Sequence, residues 1–326
     1  MKTVIFYLGM AALGYLLAVP LRNKKELFHP IGTVLKVVVT ALVFVMGFRI
    51  AASEEIMANI AMIGVNSLLM AVGSLLLTIG ALYATRKLMG FDRFGYMTKG
   101  AAQNAAHDDA VTSAEKVPFW KTSPFRLGTA VALGTIAGYF TGIVWKMYDY
   151  DAMYRVTGIF VTYALYFMVF LVGVDIGSDE KAMRSLKDAG LRVLTFPIVT
   201  SAVTVSFIMI YGIFLPYSAK EMLAVACTFC WYSLGPNIIM DAGFVAAGAV
   251  AFLTNFLRVI ISLITIPVVA KYIGYIETVG MSQAAAMDVC IAAIGEATNR
   301  QTAMYAFASG VVFTIIVPLL VPIIVG

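Results

Sequence analysis

Three ionisable residues sit where an apolar run should exclude them. Asp288 lies mid-run in Ala284-Ala285-Ala286-Met287-Asp288-Val289-Cys290, Arg258 lies in Thr254-Asn255-Phe256-Leu257-Arg258-Val259-Ile260, and Glu296 follows Gly295. A charge in a membrane-buried segment is costly and marks a solute or ion path by default. An acid in such a place binds a cationic solute, carries a proton or neutralises a buried arginine. Asp288 therefore reads as a site residue or as the partner of Arg258, and Arg258 as a ligand or a structural cation. Glu296 reads as a site residue or as an interfacial side chain near Arg300. A second cluster, Cys230-Trp231-Tyr232-Ser233-Leu234-Gly235-Pro236-Asn237, sets aromatic, hydroxyl and amide groups beside a Gly-Pro helix breaker. Trp231, Tyr232, Ser233 and Asn237 are binding candidates there, although Trp231 and Tyr232 also suit an aromatic belt at a membrane interface. Asn255, three residues before Arg258, shares its helix face.

Other chemistries find less support. Cys227-Thr228-Phe229-Cys230 has redox or zinc spacing, but it lies in an apolar run with only 2 histidines in the chain. Four zinc ligands cannot be assembled from that set, so the cysteines read as small core residues. There is no nucleotide loop, Gly-rich fingerprint or His-Glu-x-x-His pattern. No nucleophile–base pair stands out either, so the reading is of a non-enzyme without metal or cofactor.

The elements that hold these residues must be membrane helices. The chain is 61% hydrophobic and only 13% charged, against about 25% charged in soluble domains. Its formal charge of +5 fits cytoplasmic loops better than nucleic-acid binding. Apolar runs at 4–19, 32–48, 56–84, 128–147, 152–174 and 191–215 are long enough to span. The 14 Lys and Arg of the first, third and fifth connectors (Arg22, Lys24, Lys25; Arg86, Lys87, Arg93, Lys99, Lys116, Lys121, Arg126; Lys181, Arg184, Lys187, Arg192) outnumber the 4 of the others (Arg49, Lys146, Arg155, Lys220). The odd connectors are thus expected in the cytoplasm and the N-terminus outside. Phe44-Val45-Met46-Gly47-Phe48-Arg49-Ile50 echoes Phe170-Leu171-Val172-Gly173-Val174-Asp175-Ile176, and Gly14-Tyr15 echoes Gly138-Tyr139. This suggests two three-helix units, 1–84 and 127–215, inverted with respect to each other. The loop 85–126 joins them.

The last third, 216–326, breaks the pattern. Short runs at 221–234 and 283–294 end at Gly235-Pro236 and at Gly295, and each precedes a long run, 244–270 and 305–325. Short-break-long, twice, is the layout of two re-entrant hairpins, each followed by a full span; ordinary interfacial helices are the plainer alternative. The expectation is an all-α polytopic membrane protein with about eight spans, two opposed hairpins and both termini outside. A secondary transporter follows, with its site at the broken helices. An intramembrane enzyme or a non-transporting sensor or scaffold fits less well.

These C-terminal residues also carry a resemblance. Trp231-Tyr232-Ser233-Leu234, Gly248-Ala249-Val250-Ala251-Phe252-Leu253 leading to Asn255 and Arg258, Ile266-Pro267, Met287-Asp288, and Ala306-Phe307 to Val317-Pro318 are similar to the LysO lysine exporters of bacteria. Phe44 to Gly47 matches a stretch near the start of that family. The likeness covers residues 155–326 well and the N-terminal third loosely. It implies eight spans with both ends outside, in a bacterial inner membrane. It also implies proton-driven export of L-lysine, and two essential membrane acids. One corresponds to Asp288; the other falls where this chain has Val259. Gly235-Pro236 also replaces a usual Ser-Gly. Glu296 or Asp241 is expected to compensate for the lost acid, or else the solute is zwitterionic or anionic rather than lysine. The implied partners are a small amino acid, the proton and the bilayer, with a homodimer left open.

Overall fold

The computed structural model describes residues 2–21, 28, 30–96, 123–145, 150–178 and 191–326. The loop charges at 22–25, 99–121, 146 and 181–187 lie outside the described residues. Within them the fold is all-α: α1 (Lys2–Ala18), α2 (Ile31–Ala52), α3 (Glu54–Ala58), α4 (Ile60–Leu88), α5 (Ser123–Trp145), α6 (Tyr150–Ser178) and α7 (Thr195–Gly212). The chain continues through α8 (Ala219–Ala226), α9 (Gly235–Asp241), α10 (Val245–Tyr272), α11 (Tyr275–Ser282), α12 (Ile291–Ala297) and α13 (Arg300–Val325), with a 3-10 turn at Gln283–Met287. Among the described residues six helices are long and apolar enough to cross a bilayer: α2, α4, α6, α7, α10 and α13. The chain is therefore a polytopic helical membrane protein.

Helix α1 packs against α6, and α2 packs against α5. In one pair, a Cβ on Gly14 of α1 would collide with the Phe170 carbonyl of α6, and one on Gly173 with the Ala11 carbonyl. In the other, a Cβ on Gly134 of α5 would collide with the Phe44 carbonyl of α2, and one on Gly47 with the Val131 carbonyl. Without a hydrophobic force between helices in lipid, such close backbone approach is what holds them together, and only glycine allows it. The two pairs make similar contacts, with Phe44 in one placed as Phe170 is in the other and Gly47 as Gly173. Helices α1 and α5 match one turn away from the sequence echo, however: the counterpart of Gly14 is Gly134, not Gly138. Helices α4 and α7 run antiparallel. Tyr211 Oη donates to Asn66 Oδ1 at one end (2.9 Å), and Phe91 packs edge-on against Phe196 at the other (5.7 Å).

Two broken units follow, and each folds back on itself. At the first, Ser218 and Glu221 form a capping box that starts α8, and Pro236 starts α9 where its missing N–H costs nothing. Lys220 at the entrance lies 5.4 Å over the Phe244 ring at the exit. At the second, Phe94 packs on Tyr275 at the entrance (5.4 Å). Its carbonyl accepts a hydrogen bond from Asn299 Nδ2 at the exit (2.8 Å). Helix α10 runs parallel to α4, from the Ser67 Oγ–Val250 carbonyl bond at one end (3.3 Å) to the Arg86–Glu277 pair beyond its other end.

That pair is buried, with side-chain exposures of 6% and 0% and an Nε–Oε1 distance of 2.8 Å. The positive charges of the third connector therefore include one, Arg86, that serves packing between α4 and α11. Removing one partner strands the other charge. Glu277→Gln is expected to cost about 3 kcal/mol of stability, and Arg86→Met with Glu277→Met to recover most of it. Denaturant unfolding in mixed micelles measures both.

Candidate functional site

The two breaks meet. The backbone N–H of Ala284 in the second donates to the carbonyl of Phe229 in the first, at 3.2 Å. All three non-glycine residues with left-handed backbone among the described residues lie in these breaks: Phe229 (φ 40°), Cys230 (φ 63°) and Gln283 (φ 48°). Strain of this kind persists only where the surroundings enforce it, and it concentrates at functional sites.

Helix α10 supplies the enforcement. Asn255 Oδ1 accepts from the Cys230 N–H (3.1 Å), and its Nδ2 donates to Thr228 Oγ1 (2.6 Å). One turn on, Arg258 is 1% exposed. Its Nε donates to the Met281 carbonyl at the C-terminal end of α11 (3.2 Å), where a cation complements the helix dipole. Its Nη atoms donate to Ser74 (2.8 Å), Thr204 (3.4 Å) and Thr78 (3.2 Å). Ser262 Oγ donates to the same Met281 carbonyl (3.1 Å), and Gln283 Nε2 to Thr204 Oγ1 (2.8 Å). Asn255 and Arg258 thus brace the breaks from behind. The partners of Arg258 are hydroxyls and a carbonyl, and not Asp288.

In front of the breaks lies a cavity of about 190 Å³. Trp231, Tyr232 and Ser233 of the first break and Asp288 of the second line it together. Asp288 is exposed within it. Met168 and Val172 of α6 and Phe307 and Thr314 of α13 give it apolar and hydroxyl walls. It also holds three charges that the sequence reading passed over as site residues: Lys36 of α2, Arg126 of α5 and Asp175 of α6. Lys36 and Arg126 are the cations that line the cavity with Asp288. A signal for Lys36 existed, because it interrupts the apolar run Val34-Leu35-Lys36-Val37-Val38-Val39.

Three candidates fall elsewhere. Asn237 is buried in α9, where its Nδ2 donates to the Ser233 carbonyl (2.9 Å), so it shapes the first break without lining the cavity. Glu296 is exposed on α12, away from the cavity lining. Asp241, the other stand-in for a lost acid, is ion-paired with Arg49 of α2 at 3.0 Å and accepts from Thr162 of α6. The break positions also move. Gly295 lies inside α12, and the second interruption is at 283–290, so that Asp288 sits in the break itself. Gly235 and Pro236 open α9 after an interruption at 227–234. In the first unit the unwound stretch lies N-terminal to the Gly-Pro pair, because proline is tolerated in the first turn of the second half-helix; in the second, Gly295 lies beyond the first turn of α12 and does not mark the break.

Residues 129–325 match a protein family described as lysine exporter LysO. Among curated proteins, the lysine exporter LysO of Escherichia coli (strain K12) is 23% identical over 161 residues, which is 49% of this chain. The matched stretch spans about half, 52%, of that relative's length. No solved structure matches the chain. With six apolar helices long enough to span among the described residues and a family match over most of its length, the chain is a polytopic membrane protein that belongs to the lysine exporter LysO family.

Proposed function

We propose that this chain exports L-lysine or a closely related amino acid across the bacterial inner membrane, in exchange for protons. The observation that carries the reading is Asp288, a carboxylate exposed in a cavity that both helix breaks line. Unwound backbone at membrane depth is tolerated where it lines a cavity, and that is where transporter sites form. In this reading Asp288 takes the proton and the substrate's ammonium by turns. Trp231, Tyr232 and Ser233 shape the wall, while Asn255, Arg258 and Asn237 hold the backbone in place.

The cavity residues Lys36, Arg126 and Asp175 lie near those ends of α2, α5 and α6 that adjoin the first, third and fifth connectors. With those connectors in the cytoplasm and both termini outside, this conformation faces inward. The Arg49–Asp241 ion pair then lies toward the outer side. The six-helix region 1–215 supplies the charged rim, and the core 216–326 supplies the breaks.

The test is lysine efflux from loaded proteoliposomes. An inward proton gradient is expected to raise the flux about tenfold or more, since a proton-binding carrier is driven by that gradient, and a protonophore is expected to remove the increase. Gradient-independent flux overturns the proton coupling. Binding of lysine with no flux at all favours a sensor or scaffold instead.

A further inference from the structure

The charge pattern of the cavity goes beyond what one acid and one ammonium require. Four charged side chains from four elements line it, two of each sign: Lys36 from α2, Arg126 from α5, Asp175 from α6 and Asp288 from the second break. Lys36, Arg126 and Asp175 are exposed, as Asp288 is. A site built only to hold a cation would be weakened by two resident cations beside its acid. A site built for an anion would be weakened by the two acids. The set is complementary to a solute that carries one carboxylate and two ammonium groups. The planar fork of Arg126 suits a carboxylate, and Lys36 adds a point charge.

The second acid has a further argument. Val259, next to Arg258, is 3% exposed and does not line the cavity. Asp175 does line it, from another helix. In the repeat of the first two helix pairs, Asp175 is the counterpart of Arg49, and Arg49 is the residue paired with Asp241. The equivalent positions of the two units thus carry opposite charges, one in an interhelical ion pair and the other at the cavity.

We propose that Lys36 and Arg126 anchor the substrate's α-carboxylate while Asp175 and Asp288 receive its two ammonium groups, so that the cavity selects a dibasic α-amino acid over a diamine or a neutral amino acid. This rests on the export reading above and assigns its recognition. Asp175 supplies the cavity's second negative charge, and neither Glu296 nor Asp241 lines the cavity.

The experiment is calorimetric binding to the purified full chain, with three probes: L-lysine, 1,5-diaminopentane, which lacks the carboxylate, and L-norleucine, which lacks the side-chain ammonium. The wild-type protein is expected to prefer lysine to each of the others by about 10- to 100-fold, the worth of one charge-assisted contact. Lys36→Gln and Arg126→Gln should each lower the lysine-to-diamine affinity ratio about tenfold or more, and Asp175→Asn should lower the lysine-to-norleucine ratio similarly. Ratios are used because they do not depend on the folded fraction. Lys36→Arg and Arg126→Lys, which keep charge, should preserve the first ratio to within about threefold, a bound set by the weaker fork of lysine. A wild-type protein that binds lysine, with both ratios unmoved in the Gln and Asn variants, overturns this assignment and leaves the export reading standing. A wild-type protein that binds none of the three overturns both.

Discussion

Asp288→Asn is expected to abolish proton-driven lysine flux, by about 100-fold or more, in protein that folds normally. The size follows from what a titrating carboxyl contributes when proton transfer is part of the cycle, about 10² to 10⁴ in rate. An amide keeps the volume and the hydrogen-bonding edge of the side chain, but it neither ionises nor offers a countercharge to an ammonium. The fold should tolerate the change because Asp288 is exposed in a cavity and does not anchor the breaks. Asp288→Glu should retain part of the flux, since it keeps the charge and shifts it by one methylene. The measurement is efflux from lysine-loaded proteoliposomes under an imposed pH gradient, normalised to folded protein by size-exclusion elution. Undiminished flux in Asp288→Asn rules out Asp288 as the proton carrier and as the essential ammonium partner.

Much of this site was legible in the sequence, and the parts that were not share a physical cause. Asp288, Trp231, Tyr232 and Ser233 could be found because a charge or a cluster of polar groups in an apolar run must be sheltered somewhere. The exact place of the second break could not. Ala284-Ala285-Ala286 is among the best helix-forming sequences, and the local sequence offers its breaker at Gly295 instead. The interruption comes from tertiary contacts: the Ala284 N–H bonds to the Phe229 carbonyl, and Gln283 takes a left-handed backbone. Nor does local pattern reveal that Ser74, Thr78 and Thr204, on two distant helices, converge on one guanidinium. Arg258 reads equally as a ligand or a structural cation, because the rule that a buried charge is costly does not separate the two. That rule weighs cost and says nothing of which side of a break the charge occupies.

Arg258 therefore gives the other large expected effect, on stability and not on recognition. Arg258→Met keeps much of the volume and removes four hydrogen bonds: those to Met281, Ser74, Thr204 and Thr78. It also removes the cation at the C-terminal end of α11. Buried groups that lose their partners cost about 1–3 kcal/mol each. The three hydroxyls keep other options: Ser74 and Thr78 also donate to carbonyls of their own helix, at 2.6 and 2.7 Å, and Thr204 still accepts from Gln283 at 2.8 Å. The total is therefore set at about 3–5 kcal/mol, the size of a large single-residue effect from breaking a buried hydrogen-bond network. Arg258→Lys should fall between, since it keeps a charge near Met281 but cannot reach three helices with one ammonium. Denaturant unfolding in mixed micelles gives the order Arg, Lys, Met. Lysine affinity per folded molecule should stay within about threefold of wild type in both variants, because Arg258 is 1% exposed and does not line the cavity. The reverse pattern, stability unchanged and affinity lost, would move Arg258 from behind the breaks into the site. It would also mean that the crossing at Phe229 and Ala284 stands without the brace, and that its strained backbone is held by the hairpins alone.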